Sequence, residues 1–146
     1  MENIIYITPE QARITHAQTV EYSGGGTLEE IDFGRLEGVL YNIQNDDWYP
    51  TFVDKLTHLF FCTCQFHCFA DGNKRLAITL STLFLLLNGY LSVAETFLAK
   101  TENICLNVAA SKIDKELLHQ IIQAIMDGTY DDDESLKLEI FRAISE

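Results

Sequence analysis

The chain has 146 residues, of which 47% are hydrophobic and 11% aromatic, so it is long enough for one folded domain over residues 1–146 and too apolar for a disordered chain. With 10 basic against 22 acidic residues the net charge is −12, which argues against general binding to nucleic-acid phosphates or anionic membrane surfaces. The start of the chain lacks the pattern of a secretory signal, and the apolar run 76–87 is shorter than the ~20 residues of a membrane span, so we expect a cytoplasmic protein.

The N-terminal part of the chain predicts two helices. The run Thr8-Pro9-Glu10-Gln11 is a typical helix start, with a Thr N-cap, Pro at the first helical position and Gln at the third. We expect this helix to end near Tyr22, where Ser23-Gly24-Gly25-Gly26 follows. A second helix should begin after Asp32 and end at residues 45–47, because its apolar residues recur on one face.

The middle of the chain predicts a buried central helix. A third helix, with a broad apolar face, is expected from near Pro50 to about His67. A fourth should span about residues 73–88 and stop at Gly89. This fourth helix is apolar nearly all round, which indicates that it is buried.

The C-terminal part predicts three more helices, over residues 95–110, 114–127 and about 132–145, the last beginning in the acidic run 131–134. Strand signals are confined to residues 4–7 and 90–93, with a small hairpin around 45–49. We therefore predict an all-α fold, a compact bundle of about six to seven helices around the buried fourth helix. Its core should cover about residues 4–127, with an extra C-terminal helix.

The four cysteines are predicted to be free core residues. Cys64, His67 and Cys68 share one face of the third helix, whereas Cys62 points elsewhere. Only three ligands would converge there and structural zinc takes four, so a zinc site is disfavoured. Disulfides are not expected in a cytoplasmic chain of this size.

Residues 67–75 carry the strongest sign of chemistry. Two predicted helices meet at a tight loop, where Gly72 lets the backbone turn without a Cβ clash. The new helix begins with free N–H groups and the positive end of its dipole, which together attract anions. Lys74 and Arg75 add full positive charges at this point, and Asn73 can donate a hydrogen bond to a phosphate oxygen.

His67 and Asp71 complete a set of residues suited to phosphoryl or nucleotidyl transfer. Asp71 offers a hard oxygen ligand for Mg²⁺, which usually accompanies nucleotide phosphates. His67, at the end of the preceding helix, can take a proton from an incoming hydroxyl. The residues alone leave open a simple capped helix, in which Asp71 or Asn73 is only an N-cap.

The run His67-Cys68-Phe69-Ala70-Asp71-Gly72-Asn73-Lys74-Arg75 resembles the Fic/Doc signature H-x-F-x-[D/E]-G-N-[G/K]-R. Residues 7–25, 32–37 and 83–90 resemble the death-on-curing (Doc) toxin branch, and the similarity covers roughly residues 4–127. The resemblance implies that His67 is the general base, that Phe69 anchors the loop in the core and that Asp71 binds Mg²⁺. It also implies an anion hole that would bind ATP or a relative, formed by Gly72, Asn73, Lys74 and Arg75.

Two departures from the larger Fic group favour phosphate transfer over AMP transfer. Lys74 stands where that group usually has Gly, and Ile78 stands where it has a second Arg. Both match the Doc branch, in which the nucleotide is thought to be reversed and the γ-phosphate is transferred. Gly72 is Fic-like, where Doc members often carry Ala, so AMP transfer stays open. A non-catalytic Fic-like binding module is a further alternative, which the intact motif disfavours.

The resemblance also implies protein partners rather than nucleic acid or membrane. The target would be a hydroxyl side chain of another protein, with a translation factor as one candidate. Fic inhibition often uses a helix with [S/T]-x-x-x-E-[G/N], and the nearest run here, residues 135–140, ends in Ile140. We therefore expect an antitoxin in trans. Residues 44–51 precede the motif helix where Fic relatives carry a target-holding flap, so we expect a docking element there.

Overall fold

The computed structural model describes residues 3–145, a bundle of α-helices joined by loops. The helices in chain order are α1 (Pro9–Tyr22), α2 (Phe33–Asn42), α3 (Phe52–Gln65), α4 (Asn73–Leu87), α5 (Leu91–Ala109), α6 (Lys115–Asp127) and α7 (Glu134–Ile144). A 3₁₀ turn, Tyr130–Asp132, separates α6 from α7. The all-α prediction is confirmed. In the part of the chain described, no helix is long and apolar enough to cross a membrane.

Helix α4 lies at the centre of the bundle, as its sequence predicts. It packs against α1, α3 and α5, and the residues Leu76, Ala77, Leu80, Phe84 and Leu85 are buried. Because α4 is enclosed by three helices, its first turn is held at a fixed position at one end of the bundle. The loop that precedes α4 is therefore attached to a well-packed helix.

The helix ends follow local sequence signals. Thr8 caps α1 and Thr51 caps α3, each in a capping box with the residue three positions later. Helix α3 ends at Gln65, slightly before the predicted His67, because Phe66 has an extended backbone. Gly128 ends α6 in a left-handed conformation, as expected of a C-terminal glycine.

The strand predictions are wrong. Helix α5 begins at Leu91, four residues before its predicted start, so residues 91–93 are helical. Residues 4–7 form no strand. The backbone of Ile5 pairs with a side chain instead: Ile5 N–H donates to Asn88 Oδ1 at 2.8 Å, and Asn88 Nδ2 donates to Ile5 O at 2.9 Å. Residues 45–49 form turns rather than a hairpin. Within residues 3–145, the only β-pairing is an isolated bridge between Glu30 and Phe69.

Candidate active site

The loop between α3 and α4 turns sharply at Gly72 and then enters the helix. Gly72 has φ +81°, and its carbonyl accepts the first helical hydrogen bond, from Leu76 N–H at 2.9 Å. A Cβ at Gly72 would lie 3.3 Å from Val20 Cγ2 and 3.4 Å from His16 Nε2. Both the backbone conformation and the close approach of α1 therefore favour glycine at this position.

Asn73 closes the loop onto itself. Its Oδ1 accepts a hydrogen bond from Phe69 N–H at 3.0 Å, and its Nδ2 donates to Phe69 O at 2.8 Å. One N–H of the amide is used in this way, which leaves the second for the predicted phosphate contact. Phe69 itself is buried, with 2% of its surface exposed, in agreement with its predicted role as an anchor.

A segment between α1 and α2 supports the loop from its other side. Ile31 N–H and Asp32 N–H both donate to Cys68 O, at 2.9 and 3.1 Å, and Ala70 N–H donates to Glu29 O at 2.9 Å. Arg13 forms an ion pair with Glu30 at 2.8 Å, so residues 29–32 are also fastened to α1. The hydrogen bond from Arg13 lowers the pKa of the Glu30 carboxyl.

Residues 44–51, the expected docking element, lie at a different place. They contribute to a cavity of about 540 Å³ whose lining includes Tyr41, Trp48 and Tyr49 but no residue of the 67–75 motif. The buried Lys55 holds this loop by donating to Ile43 O and to Asp46 Oδ1, each at 2.7 Å. The segment that pairs with the motif loop is residues 29–32 instead.

His16 is a buried contact of the motif loop that the sequence did not reveal. It is 1% exposed, its ring stacks on Phe69 with 3.6 Å between centroids, and its Nε2 lies 2.7 Å from the carbonyl oxygen of Asp71. The short distance and the acceptor carbonyl indicate that Nε2 carries the proton and donates. The only sequence signal is a polar residue on the inner face of α1, which does not identify its partner 55 residues away.

The six predicted site residues converge on one cleft of about 560 Å³. Its lining includes all of them: His67, Asp71, Gly72, Asn73, Lys74 and Arg75. The side chains of His67, Asp71, Lys74 and Arg75 are exposed. The opposite wall is built by α5, from Glu102, Cys105, Leu106 and Ala109. Ser135 and Glu139, of the incomplete inhibitory pattern on α7, do not line this cleft.

The charges in the cleft suit an anion, which Lys74 and Arg75 attract, together with a cation, which the Asp71 carboxylate attracts. Within residues 3–145, neither Lys74 nor Arg75 forms an ion pair, so both charges are available. The first N–H groups of α4 have no intrahelical acceptor and add the positive end of the helix dipole. The Asp71 carboxylate lies beside the Gly-rich turn, where a Cβ on Gly26 would be 2.8 Å from its Oδ2.

A polyphosphate and Mg²⁺ fit these residues. Asp71 supplies one hard oxygen ligand, and Mg²⁺ in nucleotide sites takes its remaining ligands from phosphates and water. Among residues 3–145, no group of three or more His, Cys, Asp and Glu side chains could hold a metal ion by itself. All four cysteines are free and buried, as predicted.

A sequence model described as the Fic/DOC family matches residues 6–85. The chain belongs to the Fic/DOC family. The match covers more than half of the chain and includes α1 to α4 with the whole 67–75 motif. No curated protein and no solved structure matches the chain.

Membership in the Fic/DOC family gives the cleft a general chemistry, because Fic-type proteins generally transfer a group onto other proteins. Some members are not catalytic. The matched segment stops near the end of α4, so the α5 wall of the cleft lies outside it. The choice of transferred group depends on the residues of this cleft.

Proposed function

We propose that this Fic/DOC protein is a Doc-like transferase of the cytoplasm that uses ATP to phosphorylate a Ser, Thr or Tyr hydroxyl of a target protein. The observation that carries the proposal is the cleft, in which one histidine, one carboxylate and two unpaired cations surround the N-terminus of α4. Phosphoryl transfer needs little covalent chemistry from the protein, and positioning with charge stabilisation dominates it.

His67 would act as the general base. Its side chain is exposed at the edge of the cleft, where an incoming hydroxyl can reach it. As the target oxygen forms its bond to the γ-phosphorus, His67 takes the hydroxyl proton, and the bond between that phosphorus and the ADP oxygen breaks. Arg75, Lys74 and the free N–H groups of α4 would stabilise the charge that develops on the phosphate oxygens.

Asp71 would hold Mg²⁺, which when bound would neutralise part of the phosphate charge. The loop contacts of Asn73 and His16 would keep this carboxylate in place, since they fix the backbone on both sides of it. Gly72 and Asn73 would complete the anion hole.

Ile78 favours phosphate transfer over AMP transfer. It lines the cleft one turn after Arg75, where AMP-transferring relatives carry a second arginine. An apolar residue there removes one phosphate clamp, and Lys74 adds bulk and charge at the mouth of the loop. AMP transfer is the second candidate, because Gly72 is the residue typical of the larger Fic group.

Labelled ATP separates these activities. Purified protein is incubated with cell lysate and ATP labelled at either the γ or the α position, with a His67→Ala variant as the inactive control. Label from the γ position alone supports phosphorylation, and label from the α position means AMP transfer. Absence of both labels, with wild type and His67→Ala equally non-toxic on expression, contradicts both enzyme proposals and favours a binding module.

A matched variant tests the role of the two departures. The double substitution Lys74→Gly with Ile78→Arg restores the pattern of the larger Fic group, so we expect label to move from γ towards α. An antitoxin that acts in trans should suppress transfer of both labels. To find it, the protein is co-expressed with the products of neighbouring genes and labelling is measured again.

A further inference from the structure

Two cysteine thiols in the wall of the cleft have no part in the proposed transfer. Cys64 lies at the end of α3 and Cys105 lies in α5, and both line the cleft beside Lys74. Their Sγ atoms are 2.9 Å apart, and both side chains are buried. The two thiols are therefore in direct contact at the wall of the cleft.

The separation of the two sulfurs is short enough for a disulfide to form with a small movement. A disulfide bond is about 2.05 Å long, so the two sulfurs would have to approach by about 0.9 Å. The two cysteines are 41 residues apart and belong to helices that pack against each other. Closing the bond would therefore covalently join the end of α3 to the C-terminal part of α5.

We propose that Cys64 and Cys105 are a redox-active dithiol, which a peroxide or a small-molecule disulfide converts reversibly into a disulfide. With hydrogen peroxide, the thiolate of one cysteine attacks an oxygen and becomes a sulfenic acid, with release of hydroxide. The second cysteine then attacks that sulfur, and water leaves. In total two thiols are oxidised by two electrons, and the peroxide is reduced to two waters.

Cys105 is the first nucleophile. Because Cys105 donates its S–H to the Lys74 carbonyl oxygen, the S–H of Cys64 is the donor between the two sulfurs. This hydrogen bond lowers the pKa of Cys105, aided by the nearby Lys74 ammonium. Burial raises the pKa of Cys64, which keeps it protonated as the resolving thiol. The other two cysteines differ, because burial raises the pKa of both Cys62 and Cys68 to about 11.

The dithiol is coupled to the anion site. In its thiol form, Cys105 donates to the carbonyl oxygen of Lys74 at 3.4 Å, in the first turn of α4. A disulfide has no S–H, so oxidation removes the hydrogen bond from Cys105 to the Lys74 carbonyl. It also draws the part of α5 that carries Cys105 towards the end of α3. The consequence for activity rests on the proposed function: oxidation should lower transfer at least fivefold, and a reductant should restore it.

Two complementary variants test the chemistry itself. Cys62→Ser with Cys68→Ser leaves only Cys64 and Cys105, whereas Cys64→Ser with Cys105→Ser leaves only the other pair. Each variant is treated with hydrogen peroxide or oxidised glutathione. The remaining free thiols are then alkylated with a maleimide, and the mass of the intact protein is measured. We expect the first to lose both maleimide additions and about 2 Da, reversibly with dithiothreitol. The second should keep both additions.

Wild-type protein provides a test that needs no variant. Trypsin releases residues 56–74, which contain Cys62, Cys64 and Cys68, and residues 101–112, which contain Cys105. Oxidation should link these two peptides, and fragmentation of the linked pair should place the bond at Cys64. A disulfide over this span should also raise the thermal midpoint.

The outcomes distinguish this proposal from the function it rests on. Retention of both thiols in the Cys64/Cys105 protein, or equal oxidation of the complementary pair, overturns the dithiol. Closure of the disulfide with unchanged transfer overturns its regulatory role. If no label is transferred in either redox state, the proposed function fails while the mass result still decides the dithiol.

Discussion

At the residue scale, the buried side chain of His16 contacts the motif loop in two places. It stacks on Phe69 and binds the Asp71 carbonyl, so it fixes the backbone beneath the predicted Mg²⁺ ligand. His16→Phe keeps a ring on Phe69 but leaves that carbonyl without its partner, which costs about 1–3 kcal/mol. We expect ATP binding, measured by calorimetry, to weaken about tenfold, equivalent to about 1.4 kcal/mol.

The control for His16 is His119→Ala. His119 bonds to Asp54 on α3 and does not line the cleft. Its loss should leave ATP binding unchanged while the thermal midpoint moves. Equal binding by wild type and His16→Phe would show that His16 is only a core residue.

Gly72 supports a second prediction at this scale. Gly72→Ala places a Cβ at positive φ and against Val20, so we expect about 1–2 kcal/mol of destabilisation from the backbone alone. Gly38→Ala is the matched control, because Gly38 lies within α2 with open space at its Cβ and should gain up to about 1 kcal/mol. Urea unfolding measures both. A neutral Gly72→Ala would mean that the loop relaxes easily.

At the element scale, a polar cluster joins α3 to α6. Lys115 Nζ lies 2.6 Å from His58 Nδ1, and Tyr49 Oη lies 3.1 Å from His58 Nε2. The neutral ring accepts from Lys115 at Nδ1 and donates to Tyr49 from Nε2. A protonated ring would face the Lys115 ammonium directly, so this contact favours neutral His58.

Burial, followed by the charge of Lys115, lowers the pKa of His58 from 6.5 to about 4. The unfolded chain therefore binds more protons between these values, and stability present at neutral pH is lost as pH falls from about 6.5 to 4. After allowance for partial exposure, we expect a loss of roughly 2 kcal/mol. Urea unfolding at pH 7 and pH 4.5 measures it, and His58→Gln should flatten this part of the profile. An equally steep profile in the variant would assign the effect to other groups.

The sequence predicted what is local and missed what depends on packing. Thr8, Thr51 and Asp114 cap their helices through residues three positions away, so their starts could be inferred. The start of α5 was missed because Tyr90 provides no side-chain cap. The motif residues were found because they are contiguous. The partners of the loop, His16 and residues 29–32, come from distant parts of the chain.

At the scale of the whole molecule, the packing continues past the end of the family match at residue 85. The matched residues lie in α1 to α4, while α5 packs on both α3 and α4 and α6 packs on α3. Helix α7 packs only lightly, since Leu136 is its one buried residue, while Leu138 and Phe141 are about half or more exposed at 49% and 63%. The C-terminal helix thus adds little to the core.

We therefore expect a chain shortened to residues 1–132 to fold and to bind ATP like the full chain. No residue of α7 lines the cleft. The shortened chain mainly loses the contacts of Leu136 and the hydrogen bond from Lys112 to Ile144 O. The free energy of unfolding should fall by roughly 1–3 kcal/mol, because a lightly packed helix can open without global unfolding. Leu118→Ala, at a fully buried position in the first half of α6, should cost more, about 2–5 kcal/mol. Urea unfolding ranks the two, and calorimetry measures ATP binding. An unfolded or ATP-inactive short chain would show instead that α7 completes the domain.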